Sequence, residues 1–156
     1  GRTSVLERSA CRLYRARPAG DTAVADMIVS VTRLRLRSWR FLLPFAWDAR
    51  QARLQAESSS GCRGALVRKT QGLAFWTLTY WDDEASLRQF MLKGPHRKSM
   101  PKLARWCDES AVTHWQHDAR DLPGWDVATA RLAEQGRLSP VEYPSELQRS
   151  GRIGVS

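Results

Sequence analysis

Apolar and polar positions alternate from Met27 to Leu36. Ile28, Ser30, Thr32, Leu34 and Leu36 fall on one side, and Val29, Val31, Arg33 and Arg35 on the other. That period of two predicts a strand whose second face is apolar only at its start. The period then lengthens. Phe45, Ala49, Ala52 and Ala56 recur at helical spacing, Trp47 and Leu54 form a neighbouring stripe, and Pro44 suits a first turn, which predicts a helix over about Pro44 to Glu57. Ser58-Ser59-Ser60-Gly61 ends it. A second strand is expected over Cys62 to Lys69, a turn at Thr70-Gln71-Gly72, and a third strand over Leu73 to Trp81.

Asp82-Asp83-Glu84 places carboxylates at the positive end of the next helix, whose buried stripe is Leu87, Phe90 and Met91. Gly94-Pro95 breaks it, because proline lacks the amide and clashes with the preceding turn. A short helix over about His96 to Trp106 then follows at an angle. Ala111 to His117 predicts a fourth strand, and Val127 to Gln135 a C-terminal helix followed by a tail or edge-covering loop.

The order β-α-β-β-α-β predicts an α+β chain with a ferredoxin-like antiparallel sheet and its helices on one face. The other face then needs a cover: a second copy, a nucleic acid or the terminal segments. Residues 1–26 read as an N-terminal extension, 27–120 as the domain, and 121–156 as the C-terminal helix and tail.

Composition narrows this picture. A chain of 156 residues with 42% hydrophobic content is one domain's worth of core. No apolar run reaches the length of a membrane span, so a cytoplasmic protein with no membrane partner is expected. Cys11, Cys62 and Cys107 are odd in number and widely spaced, which favours reduced thiols over a disulfide framework or zinc site. The net charge of +9 is concentrated between Arg33 and Lys69, where nine basic residues face two acidic ones. A solvated helix face with strand edges is the plain reading, and attraction of an anionic substrate the sharper one.

His96 is the main candidate for chemistry, as acid, base or ligand, because it follows a helix break that leaves its ring free to enter the space between helix and sheet. Met100, one turn later, is expected on the same face. His114 and His117 point to opposite faces of their strand, and no metal-ligand, Walker or G-x-S-x-G pattern occurs, so no metal is expected. Seven tryptophans exceed what a core this size requires. Trp47, Trp76, Tyr80 and Trp106 are the expected lining of a flat apolar pocket.

The run Trp81-Asp82-Asp83-Glu84-Ala85-Ser86-Leu87-Arg88-Gln89-Phe90, with the strand Phe75 to Tyr80 before it, resembles the strand-helix signature of the dimeric α+β barrel proteins. That superfamily includes antibiotic-biosynthesis and haem-degrading monooxygenases. The longer pattern from Phe75 to Trp115 is similar to spheroidene-monooxygenase-like and DUF3291-type bacterial proteins. The resemblance implies a homodimer with a pocket between sheet and helices in each copy. The strand asparagine of the haem-degrading enzymes falls on Thr32, their helix tryptophan on Phe90 and their iron-binding histidine on Met100, which argues against that mechanism here.

The expected function is a monooxygenase-like enzyme for a hydrophobic or aromatic substrate, with His96 as the catalytic residue and Thr32, Trp47, Trp76, Tyr80, Met100 and Trp106 binding substrate. No cofactor is required, and haem is the one left open. The alternative is a non-catalytic binder of haem or a hydrophobic ligand. RNA binding is disfavoured, because Gln71-Gly72-Leu73-Ala74-Phe75 lacks the basic residue and first aromatic of an RNA-recognition strand.

Overall fold

The computed structural model describes residues 26–118 and 120–155. Of the segment read as an N-terminal extension, residues 1–25, and with them Cys11, lie outside the described residues. Ten elements follow: β1 (Met27–Leu36), α1 (Leu42–Ser58), β2 (Cys62–Lys69), β3 (Ala74–Trp81), α2 (Glu84–Leu92), α3 (Gly94–Trp106), β4 (Cys107–His117), α4 (Trp125–Gln135), β5 (Arg137–Leu138) and α5 (Glu146–Arg149). A 3-10 turn, Trp39–Phe41, precedes α1. The strands form one antiparallel sheet in the order β2-β3-β1-β4-β5, so the fold is the α+β arrangement read from the alternation.

β4 starts four residues earlier than expected, running directly out of α3, and its register against β1 shifts between Arg35 and Leu36. The shift accommodates Asp108, whose carboxylate takes two hydrogen bonds from Arg35 at 2.8 Å. α3 also starts early, at Gly94, whose φ of +58° is open to glycine at little cost. Gln55 of α1 brackets this junction: its Nε2 donates to the carbonyls of Phe90 and Lys93, and its Oε1 accepts from the His96 amide. One side chain thereby satisfies backbone groups that two abutting helix ends would otherwise leave without partners.

The pleat sends successive side chains to opposite faces. Toward α1, α2 and α3 the sheet presents two separate apolar clusters. At one end Trp81 and Ala65 pack with Ala56, Leu87 and Phe90; at the other Leu36 and Cys107 pack with Phe45 and Leu73. α1 reaches both clusters with the Phe45, Ala49, Ala52, Ala56 stripe, whose small residues let it lie close to the strands.

The opposite face is covered by the chain itself. Met27, Val29, Val31, Trp76, Leu78, Tyr80 and Trp115 form a single core with Ala128 and Leu132 of α4, and Trp125, Leu138 and Ile153 pack around it. Of the three covers considered from sequence, this is the terminal one, and it occupies the surface on which bases would stack in an RNA-recognition domain. The segment after α4 is more than a tail. β5 pairs with Ala111 and Val112, the Ser139 amide bonds the Ser110 carbonyl at 2.9 Å, and the Ser145 hydroxyl bonds Glu109 at 3.0 Å.

Charge is built into this closed face. Arg33 and Glu109, whose side chains are each 5% exposed, pair at 2.7 Å, and the other oxygen of Glu109 lies 3.1 Å from Arg35. Arg68 lies over the rings of Trp76 and Trp125, at 4.8 and 4.4 Å from their centroids, and donates to the Thr129 hydroxyl. Burial lowers the pKa of Arg68, offset in part by Asp126. The basic stretch is therefore not one solvated face. Arg33 and Arg68 are taken into the layers of the fold, and Arg35, its side chain 37% exposed, is held by Asp108 and Glu109 at the margin, because a sheet covered on both faces draws in the basic positions of its strands.

Candidate functional site

Between the two apolar clusters of the helix-facing side lies a patch of hydroxyls. Ser30 pairs with Thr79, and Thr32 with Thr77, on the two central strands β1 and β3. All four share the face of Ile28, Leu34 and Phe75. In a closely packed sandwich the middle of the central strands is where burial should be greatest. Thr32 and Thr77 are only half-buried, while their chain neighbours Val31, Trp76 and Leu78 on the other face are fully buried.

On α1 the stripe between Phe45 and Ala56 consists of two small residues, Ala49, which packs with the Leu36–Phe45 cluster, and the half-buried Ala52. Across the sheet the Thr32–Thr77 row continues to Val112, half-buried on β4, and to Val67 on β2, which is 41% exposed. The row thus opens toward the β2 edge. Its floor is polar and its two ends are aromatic, which is the composition of a site for a flat organic molecule bearing oxygen substituents.

At the Trp81 end stands His96. Its ring packs on Phe90 with centroids 4.6 Å apart, and Phe90 in turn packs on Trp81 at 5.0 Å. Nδ1 lies 3.3 Å from the Met91 carbonyl. A carbonyl only accepts, so this contact places the proton on Nδ1 and leaves the lone pair on Nε2. Burial lowers the imidazole pKa, and the Met91 carbonyl opposes part of that shift. The neutral form, the one that acts as a base, is accordingly favoured at neutral pH.

At the other end Phe45 packs on Phe75 at 4.7 Å, and Trp106 stacks on Phe41 at 6.2 Å with the Lys102 ammonium over its ring. Lys102 also reaches from α3 to Asp48 of α1 at 2.9 Å, so the two helices are tied across the layer. Ser99 is the buried residue of α3 and bonds the Pro95 carbonyl.

The structure divides the expected site residues. Thr32, His96 and Trp106 lie on the helix side of the sheet. Trp76 and Tyr80 do not join them: they lie on the opposite face under α4, where the Tyr80 hydroxyl donates to the Pro123 carbonyl and burial pushes its pKa up to about 12. Their even numbers on β3 put them across the sheet from Phe75, Thr77 and Thr79. Trp47 is 62% exposed, on the outer side of α1 away from the sheet. Met100 is 45% exposed, because the inward arc of α3 runs through His96, Ser99 and Leu103 and leaves Met100 outside it.

The haem-ligand position of the resembling enzymes therefore falls on an exposed methionine, and the nearby His96 ring is held against Phe90. These residues do not fit that mode of haem ligation. Among the described residues no three His, Cys, Asp or Glu side chains are gathered as a metal site. Cys107 is buried with its thiol pushed up to about 12, and burial also raises the half-buried Cys62, so both resist ionisation. No helix among the described residues is long and apolar enough to cross a membrane.

What sequence reasoning missed is the hydroxyl row itself. Its signal was present, since Ser30, Thr32, Thr77 and Thr79 interrupt otherwise apolar strand faces at spacing two. A concavity of about 440 Å³, open to solvent, is lined by Thr113, His114, Gln135 and Arg137 at the outer edge of β4, away from the hydroxyl row.

No family model matches the chain, and no curated protein does. Solved structures do. A conserved protein from Methanosarcina mazei Go1 is similar, with 18% identity and a TM-score of 0.54 over 59% of this chain and 93% of its own. A protein of unknown function from Nitrosomonas europaea is 16% identical with a TM-score of 0.54 over 65% of this chain and 99% of its own. A Bacteroides thetaiotaomicron protein described as a possible oxidoreductase is 11% identical with a TM-score of 0.52, covering 59% of this chain and 98% of its own. At such identities the likeness is one of fold. The neighbours are nearly whole small domains, and more than a third of this chain lies outside each match.

Proposed function

We propose that the chain is a monooxygenase-like enzyme of the dimeric α+β barrel superfamily, acting on a flat aromatic substrate over the Thr32–Thr77 row. The observation that carries this reading is the half-buried hydroxyl row at the centre of the helix-facing sheet, between two aromatic ends. Thr32 and Thr77 bind oxygen substituents of the substrate, and Trp81, Phe90 and Phe75 supply apolar walls. His96, neutral and with Nε2 as its basic nitrogen, takes a proton from an activated carbon–hydrogen bond.

No cofactor enters this reading. A substrate whose carbanion is stabilised by fused rings gives its own electrons to dioxygen. The resulting peroxide loses water, so a CH2 group and O2 become a carbonyl group and H2O. The protein's part is to bind, to remove the proton and to exclude bulk water from the peroxide.

An oxygen electrode with electron-rich anthrones, which carry the activated CH2 the step requires, as probes tests this. Uptake above the uncatalysed rate is expected for the wild type and a loss of at least tenfold for His96→Ala. Uptake unchanged in both His96→Ala and the pair Thr32→Val, Thr77→Val would move the chemistry elsewhere. Saturable quenching of tryptophan fluorescence by these probes without oxygen uptake would favour the second reading, a binding protein that uses the same cleft. A homodimer is also proposed. With α4 over the second face of the sheet, its contact would use a different surface from that face.

A further inference from the structure

α1 is apolar on two opposite sides. Its inner stripe, Phe45, Ala49, Ala52 and Ala56, meets the sheet. Its outer side carries Leu43, Trp47 and Leu54, which at 100° per residue lie within a narrow arc together with Arg50. Leu43 is 82% exposed, Trp47 62% and Leu54 45%, and Trp39 in the preceding turn extends the line at 65%. Scattered apolar residues on a surface need no explanation, but four large ones along one helix line do. A helix with two apolar sides is ordinarily packed on both, and among the described residues only the inner side of α1 meets a layer.

The charges beside the stripe decide what the second layer is. Arg50 lies within the stripe, exposed and with no acidic partner among the described residues. Arg40, exposed beside Trp39, lies over the Phe41 ring at 4.7 Å from its centroid, with no acidic partner among the described residues. Of the two acids in α1, Asp48 is held by Lys102 and Glu57 by Arg53. A second copy docked stripe to stripe would bring arginine against arginine. Residues 1–25 hold five arginines and two acids, a net charge of the same sign as the stripe. The occupant that matches both the grease and the charge is anionic and has an apolar interior.

We propose that the outer face of α1 seats on an anionic lipid surface, with Leu43 and Trp47 entering the headgroup and acyl boundary and Arg40 and Arg50 contacting lipid phosphates. Tryptophan suits this boundary because its ring is apolar and its N–H is polar, and arginine because its stem packs while its fork stays wet. The net charge of +9 adds long-range attraction of the same sign. This revises the expectation of no membrane partner, which rested on the lack of a spanning segment. It is independent of the reaction assigned to the cleft, since the stripe lies on the other side of α1.

The test is flotation of the full chain with vesicles of phosphatidylcholine alone and of phosphatidylcholine with about a third phosphatidylserine, at low and at physiological salt. Binding to the anionic vesicles only, weakened by salt, is expected. Arg50→Glu should weaken it by more than the roughly fivefold that one lost basic residue represents. The pair Leu43→Ser, Trp47→Ser should weaken it at least tenfold, with circular dichroism unchanged because both positions are exposed. No flotation at low salt, or flotation unaffected by that pair, overturns the proposal. Loss of a concentration-dependent dimer in sedimentation velocity by the same pair, without vesicle binding, would assign the stripe to a second copy. Loss of RNA affinity instead would assign it to nucleic acid.

Discussion

On the α4 side of the sheet Val31, Trp76 and Leu78 are sealed from solvent, whereas one residue along each strand, on the helix side, Thr32 and Thr77 remain half-buried. The same two strands supply both faces, so backbone geometry is not the difference. Side-chain size above the sheet is. Leu132, Trp125 and Ile153 pack onto large residues on one side, while on the other the α1 stripe carries the small Ala49 and Ala52 between Phe45 and Ala56. The closed face holds the fold together, and the other leaves Thr32 and Thr77 partly exposed.

That contrast breaks most visibly at Trp76. Trp76→Ala removes a fully buried ring and one of the two rings around Arg68, and a loss of about 3–5 kcal/mol in urea unfolding is expected. Leu132→Ala, on the α4 side of the same core, should cost about 2–5 kcal/mol. A result below about 1 kcal/mol for both would mean that α4 is not a firm cover.

Smaller effects are expected on the other face. Gln55→Ala strips three hydrogen bonds from the α2–α3 junction, and about 1–3 kcal/mol should be lost, with amide exchange quickening at Lys93 to Arg97. Thr32→Val with Thr77→Val should change stability by less than about 1 kcal/mol while reducing ligand binding in the cleft. If the pair instead unfolded the protein, the row would be structural rather than a site.

The smallest effect is a pH slope. Burial holds the folded His96 pKa below its ordinary value near 6.5, so the unfolded chain binds the proton more readily. The stability due to neutral His96 is full above that ordinary value and is lost as pH falls through the lowered folded value. His96→Leu should flatten this part of the difference in urea midpoint between pH 8 and pH 5. An unchanged slope would show that the ring is not held in the buried setting formed by Phe90 and Met91.

The frame of the fold was legible because each strand and helix declares its period within its own residues, as in Ile28 to Leu36 and in Phe45 to Ala56. The cover of the second face was not. An apolar face built from Val29, Val31 and Trp76 is satisfied equally by a second copy or by α4, and nothing local in Ala128 or Leu132 distinguishes the two. Among the site residues, Thr32 and His96 could be placed because a strand's alternation and a Gly-Pro break fix where a side chain starts. Trp47 could not, since its spacing to Leu54 looks the same for an inward stripe and an outward one. Trp76 and Tyr80 were legible in parity, two and six residues from Ala74 on one face, but which face would carry ligand depended on what packed above it.

The place of β1 also sets an order of events. The first strand among the described residues is central in the sheet, bonded to β3 on one side and to β4, in a register that joins Met27 to His117, on the other. Pairings across so many residues form slowly, because a long loop must close before any contact rewards it. During synthesis β1 therefore waits, first for Trp81 and then for His117, before both its edges are satisfied. Trp76 and Leu78 wait longer still, until α4 has emerged. A nascent chain halted near residue 120 would carry the four long strands of the sheet with one bare aromatic face, the species that a chaperone would have to shield.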